Sequence, residues 1–155
     1  MQVLKSQYPY IYVHKVKVTY TDFDAGGLTY RYLDLFSVGK GVDVHWIKFQ
    51  NLVSWAMTGA PTITMKIYNS FSAVSPPAAV FGLYAQQLCS NVVLDGKNVL
   101  AYSSNIAYNG TANNFERGLQ NSSYTIRACL VASAGNVNTL SAGEMYIWVA
   151  TIKTT

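Results

Sequence analysis

Charge is what this sequence has least of. Of its 155 residues, 12% are Asp, Glu, Lys or Arg, where soluble domains usually carry about a quarter. Seven carboxylates and two histidines leave little material for acid–base chemistry. No serine stands in a Gly-x-Ser-x-Gly elbow. Cysteine is scarce as well: Cys89 and Cys129 occur in no metal-ligand spacing and lack the local signatures of cysteine nucleophiles. They read as small buried apolar side chains, with a disulfide between them left open. No apolar run approaches the roughly 18 residues that a membrane helix needs. The opening residues, Met-Gln-Val-Leu-Lys-Ser-Gln-Tyr-Pro-Tyr, lack the apolar stretch of a signal peptide. These absences predict a soluble chain made inside the cell, with no membrane partner. The sequons at Asn109 and Asn121 are then chance matches.

What the chain has instead is apolar and aromatic surface. Hydrophobic residues reach 50% and aromatics 14%, with twelve tyrosines. A neutral, Tyr-rich exterior suits a protein contacted by copies of itself or by partners. The net charge of +4 comes from scattered residues, among them Lys15, Lys17, Arg31, Lys40, Lys48, Lys66, Lys97, Arg117, Arg127 and Lys153. No basic run or stripe results, so nucleic acid is not an expected partner.

Period-two patterning recurs along the chain. From Tyr10 to Tyr20 one parity holds Tyr10, Tyr12, Val16, Val18 and Tyr20, the other Lys15, Lys17 and Thr19. That alternation predicts a strand with one wet face. In residues 61–68, Ile63, Met65 and Ile67 oppose Thr62, Thr64, Lys66 and Tyr68; in 124–131, Tyr124, Ile126, Ala128 and Leu130 oppose Thr125 and Arg127. Over 43–53 the pattern is looser, with Ile47, Phe49 and Val53 on one face. Residues 144–152 are apolar on both faces, as in a central strand.

Turn signals separate these runs: Ala25-Gly-Gly, Gly39-Lys-Gly, Gly59-Ala-Pro, Ser75-Pro-Pro, Asp95-Gly-Lys, Asn109-Gly and Gly135-Asn. Asp95-Gly96, between Val92–Leu94 and Asn98–Leu100, predicts a tight hairpin, because a type I′ turn needs positive φ at both central residues. The one helical expectation is a short turn within Ala78–Cys89, weakened by Gly82. Together these features predict an all-β fold, a single antiparallel β-sandwich of jelly-roll type over residues 11–155. Residues 1–10, interrupted by Pro9, are set apart as an N-terminal arm, lying across a neighbour or trailing as a tail.

The candidate chemistry is sparse. His14, mid-strand, and His45, beside Trp46, read as structural. Asp22-Phe-Asp24-Ala-Gly-Gly opens like a calcium loop but lacks its later ligands, so its carboxylates are expected to cap backbone amides. No catalytic residue, metal site or cofactor is predicted, and the chain is not expected to be an enzyme. Aromatic side chains remain as interface candidates: Tyr8, Tyr10, Trp46, Trp55, Tyr68, Tyr102 and Tyr108. Exposed rings of this kind anchor protein interfaces, and the Trp46–Trp55 pair is also the candidate for stacking on sugar rings. Trp148, in the last strand, is expected in the core.

Three segments resemble small virion proteins of tailed bacteriophages. They are Val16-Lys-Val-Thr-Tyr-Thr-Asp-Phe-Asp-Ala leading to Leu28 and Leu33-x-Leu-Phe36; Val42-x-Val44 continuing to Val53 and then Gly59-Ala-Pro-Thr-Ile-Thr-Met-Lys-Ile; and Asn138-Thr-Leu-Ser-Ala-Gly-Glu-Met-Tyr-Ile-Trp-Val. The resemblance covers about residues 11–150; the 69–90 stretch departs from the pattern. It implies a capsid decoration protein of jelly-roll or sandwich fold, without enzymatic activity. Such a protein is made in the host bacterial cytoplasm and resides in the virion. The implied partners are other virion proteins, the major capsid protein first, and further copies of the chain, a trimer being favoured. A carbohydrate- or receptor-binding module of a head fibre or tail is the alternative.

Overall fold

The computed structural model describes residues 2–5, 11–24, 26–70, 85–88, 92–94, 100–103 and 123–153. The elements are β1 (Gln2–Lys5), β2 (Ile11–Thr19), β3 (Tyr30–Val38), β4 (Val42–Met57), β5 (Ile63–Ser70), β6 (Ala85–Gln87), β7 (Val92–Val93), β8 (Leu100–Ser103), β9 (Tyr124–Ala132) and β10 (Leu140–Lys153). One sheet runs β1-β2-β10-β4-β8 and the other β3-β9-β5-β6, with β7 also on β5. All pairings are antiparallel.

The pairing is nested. β2 pairs with β10, β3 with β9, β4 with β8 and β5 with β6, so the chain forms one long hairpin rolled into two facing sheets. That is the jelly-roll arrangement, as the alternation and turn spacing predicted. Alternation fills the space between the sheets. Val18, Ile47, Phe49, Met145, Ile147 and Val149 of the first sheet meet Ile63, Met65, Ile67, Ile126 and Leu130 of the second. Each such side chain, fully buried, stabilises the fold by about 1.5–3 kcal/mol relative to exposure. The Tyr124 hydroxyl ties the sheets further, donating to the Val42 carbonyl at 2.7 Å.

The inner faces of β2, β5 and β9 are those the alternation predicted, and β10 lies between β2 and β4 as its two-faced run required. β4 corrects the simple pattern. Ile47 and Phe49 are buried, but Val53 is 46% exposed. Register explains it: from Asn51 to Val53, β4 advances two residues while β10 advances one, and from Val53 to Ala56 it advances three against two. These two bulges turn Val53 outward and then return Trp55 and Met57 to the core.

Two local expectations fail. Val92–Val93 pair with β5 in the second sheet, whereas Leu100–Ser103 pair with β4 in the first. The flanks of Asp95-Gly96 therefore do not form a hairpin with each other; residues 95–99 lie outside the described residues. The predicted helical turn in 78–89 ends in strand, at Ala85–Gln87, where pairing with Tyr68–Ser70 overrides local propensity. Its remainder, apart from Leu88, lies outside the described residues, as do the turns at Ser75, Asn109 and Gly110. Within the segment set apart as an arm, Gln2–Lys5 folds back on β2 of its own chain as an edge strand.

The Asp22 expectation holds. Its carboxylate accepts from the Thr19 amide at 2.7 Å and from the Thr19 hydroxyl at 3.0 Å, capping the 3-10 turn Tyr20–Asp22. His14 is structural too. Its ring stacks on Phe36 across the two sheets at 4.2 Å. The Thr151 hydroxyl donates to the Tyr12 carbonyl, so His14 Nε2, 3.3 Å from that hydroxyl oxygen, is the donor and Nδ1 remains a buried acceptor. Burial lowers the His14 pKa below 6.5. The unfolded chain then binds more protons than the folded one just below pH 6.5, so His14's contribution is full above pH 6.5 and lost as pH falls below it. Urea midpoints of the wild type should therefore drop more between pH 7.5 and pH 5 than those of His14→Phe, which keeps the stack and cannot titrate. Equal drops would mean that His14 is not desolvated.

Candidate interaction surface

The outward faces differ between the sheets. On the second sheet Tyr32 stands edge-on to Tyr30 and Tyr68, at centroid distances of 5.6 and 6.3 Å. Beside them Arg127, 5% exposed, donates through Nε to the Asp34 carboxylate. Cys129 lies here as a buried, free thiol. Burial pushes its pKa up to about 11, and raises that of Tyr32 as well. A thiol so held is a packing residue, as its sequence context indicated; Cys89 lies outside the described residues. Tyr68 stands on the outer side, as alternation suggested, but at 7% exposure it is covered there and is not an exposed interface residue.

The first sheet carries a different surface. Because Met145, Ile147 and Val149 point inward, Tyr146 and Trp148 must point outward. Three rows cross β2, β10 and β4 on this face: Val13–Ala150–Trp46, Lys15–Trp148–Lys48 and Lys17–Tyr146–Gln50. Lys15 Nζ sits 3.8 Å from the Tyr146 ring centroid and 4.6 Å from that of Trp148. From the other side Lys48 Nζ approaches the Trp148 ring at 5.7 Å. The Tyr146 and Trp148 rings stand 6.3 Å apart at 64°. Lys17 Nζ bridges Glu144 at 2.9 Å, and the hydrogen bond to that carboxylate raises the lysine's pKa. The three rows themselves hold three lysines and no carboxylate.

Of the predicted interface aromatics, Trp46 lies on this face, half-buried. Tyr102 has its backbone opposite Lys48 in β8, its side chain lying outside the described residues. Tyr8, Tyr10 and Tyr108 lie outside them as well. Trp55 is a correction: at 4% exposure it is a core residue, edge-on to Phe23 at 5.8 Å. The expectation for Trp148 is reversed too, since it is half-buried on the outer face. Its signal was present in the parity of Met145, Ile147 and Val149, but an unbroken apolar run hides which side faces out. His45, the residue between the register pairs of Val44 and Trp46, is exposed at the bulge there.

No family model matches the sequence, and no curated protein matches it. Among solved structures the chain is similar to one described as the structure of infectious bursal disease virus Gx strain. The TM-score is 0.24 and the identity 11%, over 92% of this chain and 37% of that one. This chain thus spans little more than a third of the matched chain. The jelly-roll assignment stands on strand pairing, not on that likeness.

Proposed function

We propose that the protein is a non-enzymatic structural component of a bacteriophage virion, a capsid decoration protein that binds the major capsid protein and copies of itself. The observation that carries this reading is the outer face of the first sheet. Tyr146, Trp148 and Trp46 lie there among lysines in a chain otherwise poor in charge. Aromatic side chains on a rigid sheet are the usual anchors of protein interfaces, and viral capsid domains are among the proteins built as jelly rolls. Three carboxylates have structural partners: Asp22 caps a turn, Asp34 meets Arg127 and Glu144 meets Lys17. That use favours a binding role over acid–base chemistry.

The carbohydrate-binding reading is weaker. Its pair of coplanar tryptophans is lost because Trp55 is in the core. The outer rings of Tyr146 and Trp148 are inclined at 64°, with Lys15 lying over both. Native mass spectrometry of the purified protein, with co-sedimentation on phage capsids lacking it, tests the proposal. Self-association and saturable capsid binding are expected. A strict monomer that never sediments with capsids would overturn it. Glycan-array binding lost on Trp46→Ala would overturn it in favour of the carbohydrate module.

A further inference from the structure

We infer that the His14–Phe36 stack is an acid-sensitive latch between the two sheets. A proton on His14 Nδ1 drives the imidazole out of the contact and uncovers Phe36, while the rest of the sandwich stays folded. The latch does not depend on the virion role.

The His14 ring lies 4.2 Å from that of Phe36, inclined by 16°. β2 belongs to the first sheet and β3 to the second, so the two rings join the sheets. Phe36 is 9% exposed, whereas Tyr12, two residues before His14 and on the same side of β2, is 37% exposed. His14 itself is half-buried. The stack therefore lies close to the rim of the sandwich, where a ring that leaves it meets water.

The site suits a neutral imidazole. Nε2 donates to the Thr151 hydroxyl oxygen at 3.3 Å, and that hydroxyl donates onward to the Tyr12 carbonyl at 3.4 Å. Nδ1 is buried and has no hydrogen-bond partner. A second proton would sit on a buried atom without an acceptor, in a ring whose charge is withdrawn from water, and that is costly. No carboxylate among the described residues offsets the cost. β10 contributes Val149 and Thr151, β4 Val44, β3 Phe36, and β9 Ile126 and Tyr124, whose hydroxyl is turned to the Val42 carbonyl. On β1 the register positions are Val3, opposite His14, and Lys5, opposite Tyr12. Asp34, the acid of β3, is engaged by Arg127 on the outer side. Burial accordingly lowers the His14 pKa below 6.5. Outside the contact the ring titrates near its ordinary value, so the opened form binds the proton more tightly and acid favours it. From pH 7.5 to pH 5 that one proton can raise the ratio of opened to stacked ring by at most about thirtyfold. This is small beside the roughly thousandfold or greater excess of folded over unfolded chain in ordinary domains, so the latch opens without the sandwich.

The test follows the full-length protein by NMR between pH 7.5 and pH 5. It reads the His14 ring titration, the His14–Phe36 NOEs and the relaxation of Phe36 ring protons by a soluble nitroxide. As His14 takes up its proton the NOEs should weaken and Phe36 should become accessible, while Met65 and Ile147 in the core stay screened. In His14→Phe, which cannot titrate, the screening of Phe36 should not change with pH. Should that variant fold poorly, His14→Gln should leave Phe36 accessible to the same degree at both ends of the range. NOEs and screening unchanged in the wild type at pH 5 would overturn the inference, whether or not the ring has titrated. So would an equal rise in access at Met65, or the same acid response in both variants.

Discussion

Replacing Gly143 with alanine should destabilise the protein by about 3 kcal/mol or more, the sum of left-handed backbone strain and forced overpacking. Gly143 has φ +146°, a conformation that side chains rarely adopt, and it is buried in β10. A Cβ there would meet the Trp55 ring at 2.4 Å from Cδ2 and 2.5 Å from Cε3. Neither partner can retreat easily. β10 is hydrogen-bonded between β2 and β4, and the indole is held in the core against Phe23. For a chain of this size the loss corresponds to a fall in Tm of roughly 6–12 °C. Thermal melts and urea titration measure it, and an unchanged midpoint would show that the ring does not rest on this backbone. The Leu-Ser-Ala-Gly segment that the resemblance singled out thus has a packing reason for its glycine.

Trp55→Ala should cost about 3–5 kcal/mol, as large aromatic truncations in cores do. The effect belongs to stability because the side chain is 4% exposed and packs inside the sandwich. Trp46→Ala, half-buried on the outer face, should lower the urea midpoint by less than Trp55→Ala does. The two core sites should also couple. In the Trp55→Ala background the clash at position 143 disappears, so adding Gly143→Ala should cost less than it does alone, by about 1–3 kcal/mol. Strict additivity in this double-mutant cycle would contradict the contact.

Local pattern carried the inner faces. In β5, Ile63, Met65 and Ile67 alternate with polar residues and all are buried; Ile126, Ala128 and Leu130 do the same in β9. Alternation is readable because a strand's side chains change face with every residue, whatever it pairs with. Bulges break that rule without a marker of their own. Val53 is exposed and Trp55 buried because β4 and β10 slip past each other twice between residues 51 and 56. Two of the interface aromatics fail for other reasons: Trp55 shares the odd parity of Ile47 and Phe49, which the second bulge restores after Val53, and Tyr68 is covered on its own side of the second sheet. Asp95-Gly96 misled for a related reason. A turn dipeptide reports local backbone preference, not whether its flanking strands enter the same sheet, and here they enter opposite ones.

The sequence by itself determined that this is an all-β chain, that its last strand is central and which faces of β5 and β9 line the core, since those properties follow from residue-to-residue alternation. Only the tertiary structure decided which surface is chemically distinct. Lys15, Lys48 and Trp148 are far apart along the chain and become neighbours because nested pairing brings β2 and β4 to either side of β10. Charges scattered in the linear chain are thereby gathered around one ring, and no local pattern records that, because register between distant strands is a property of the closed sheet.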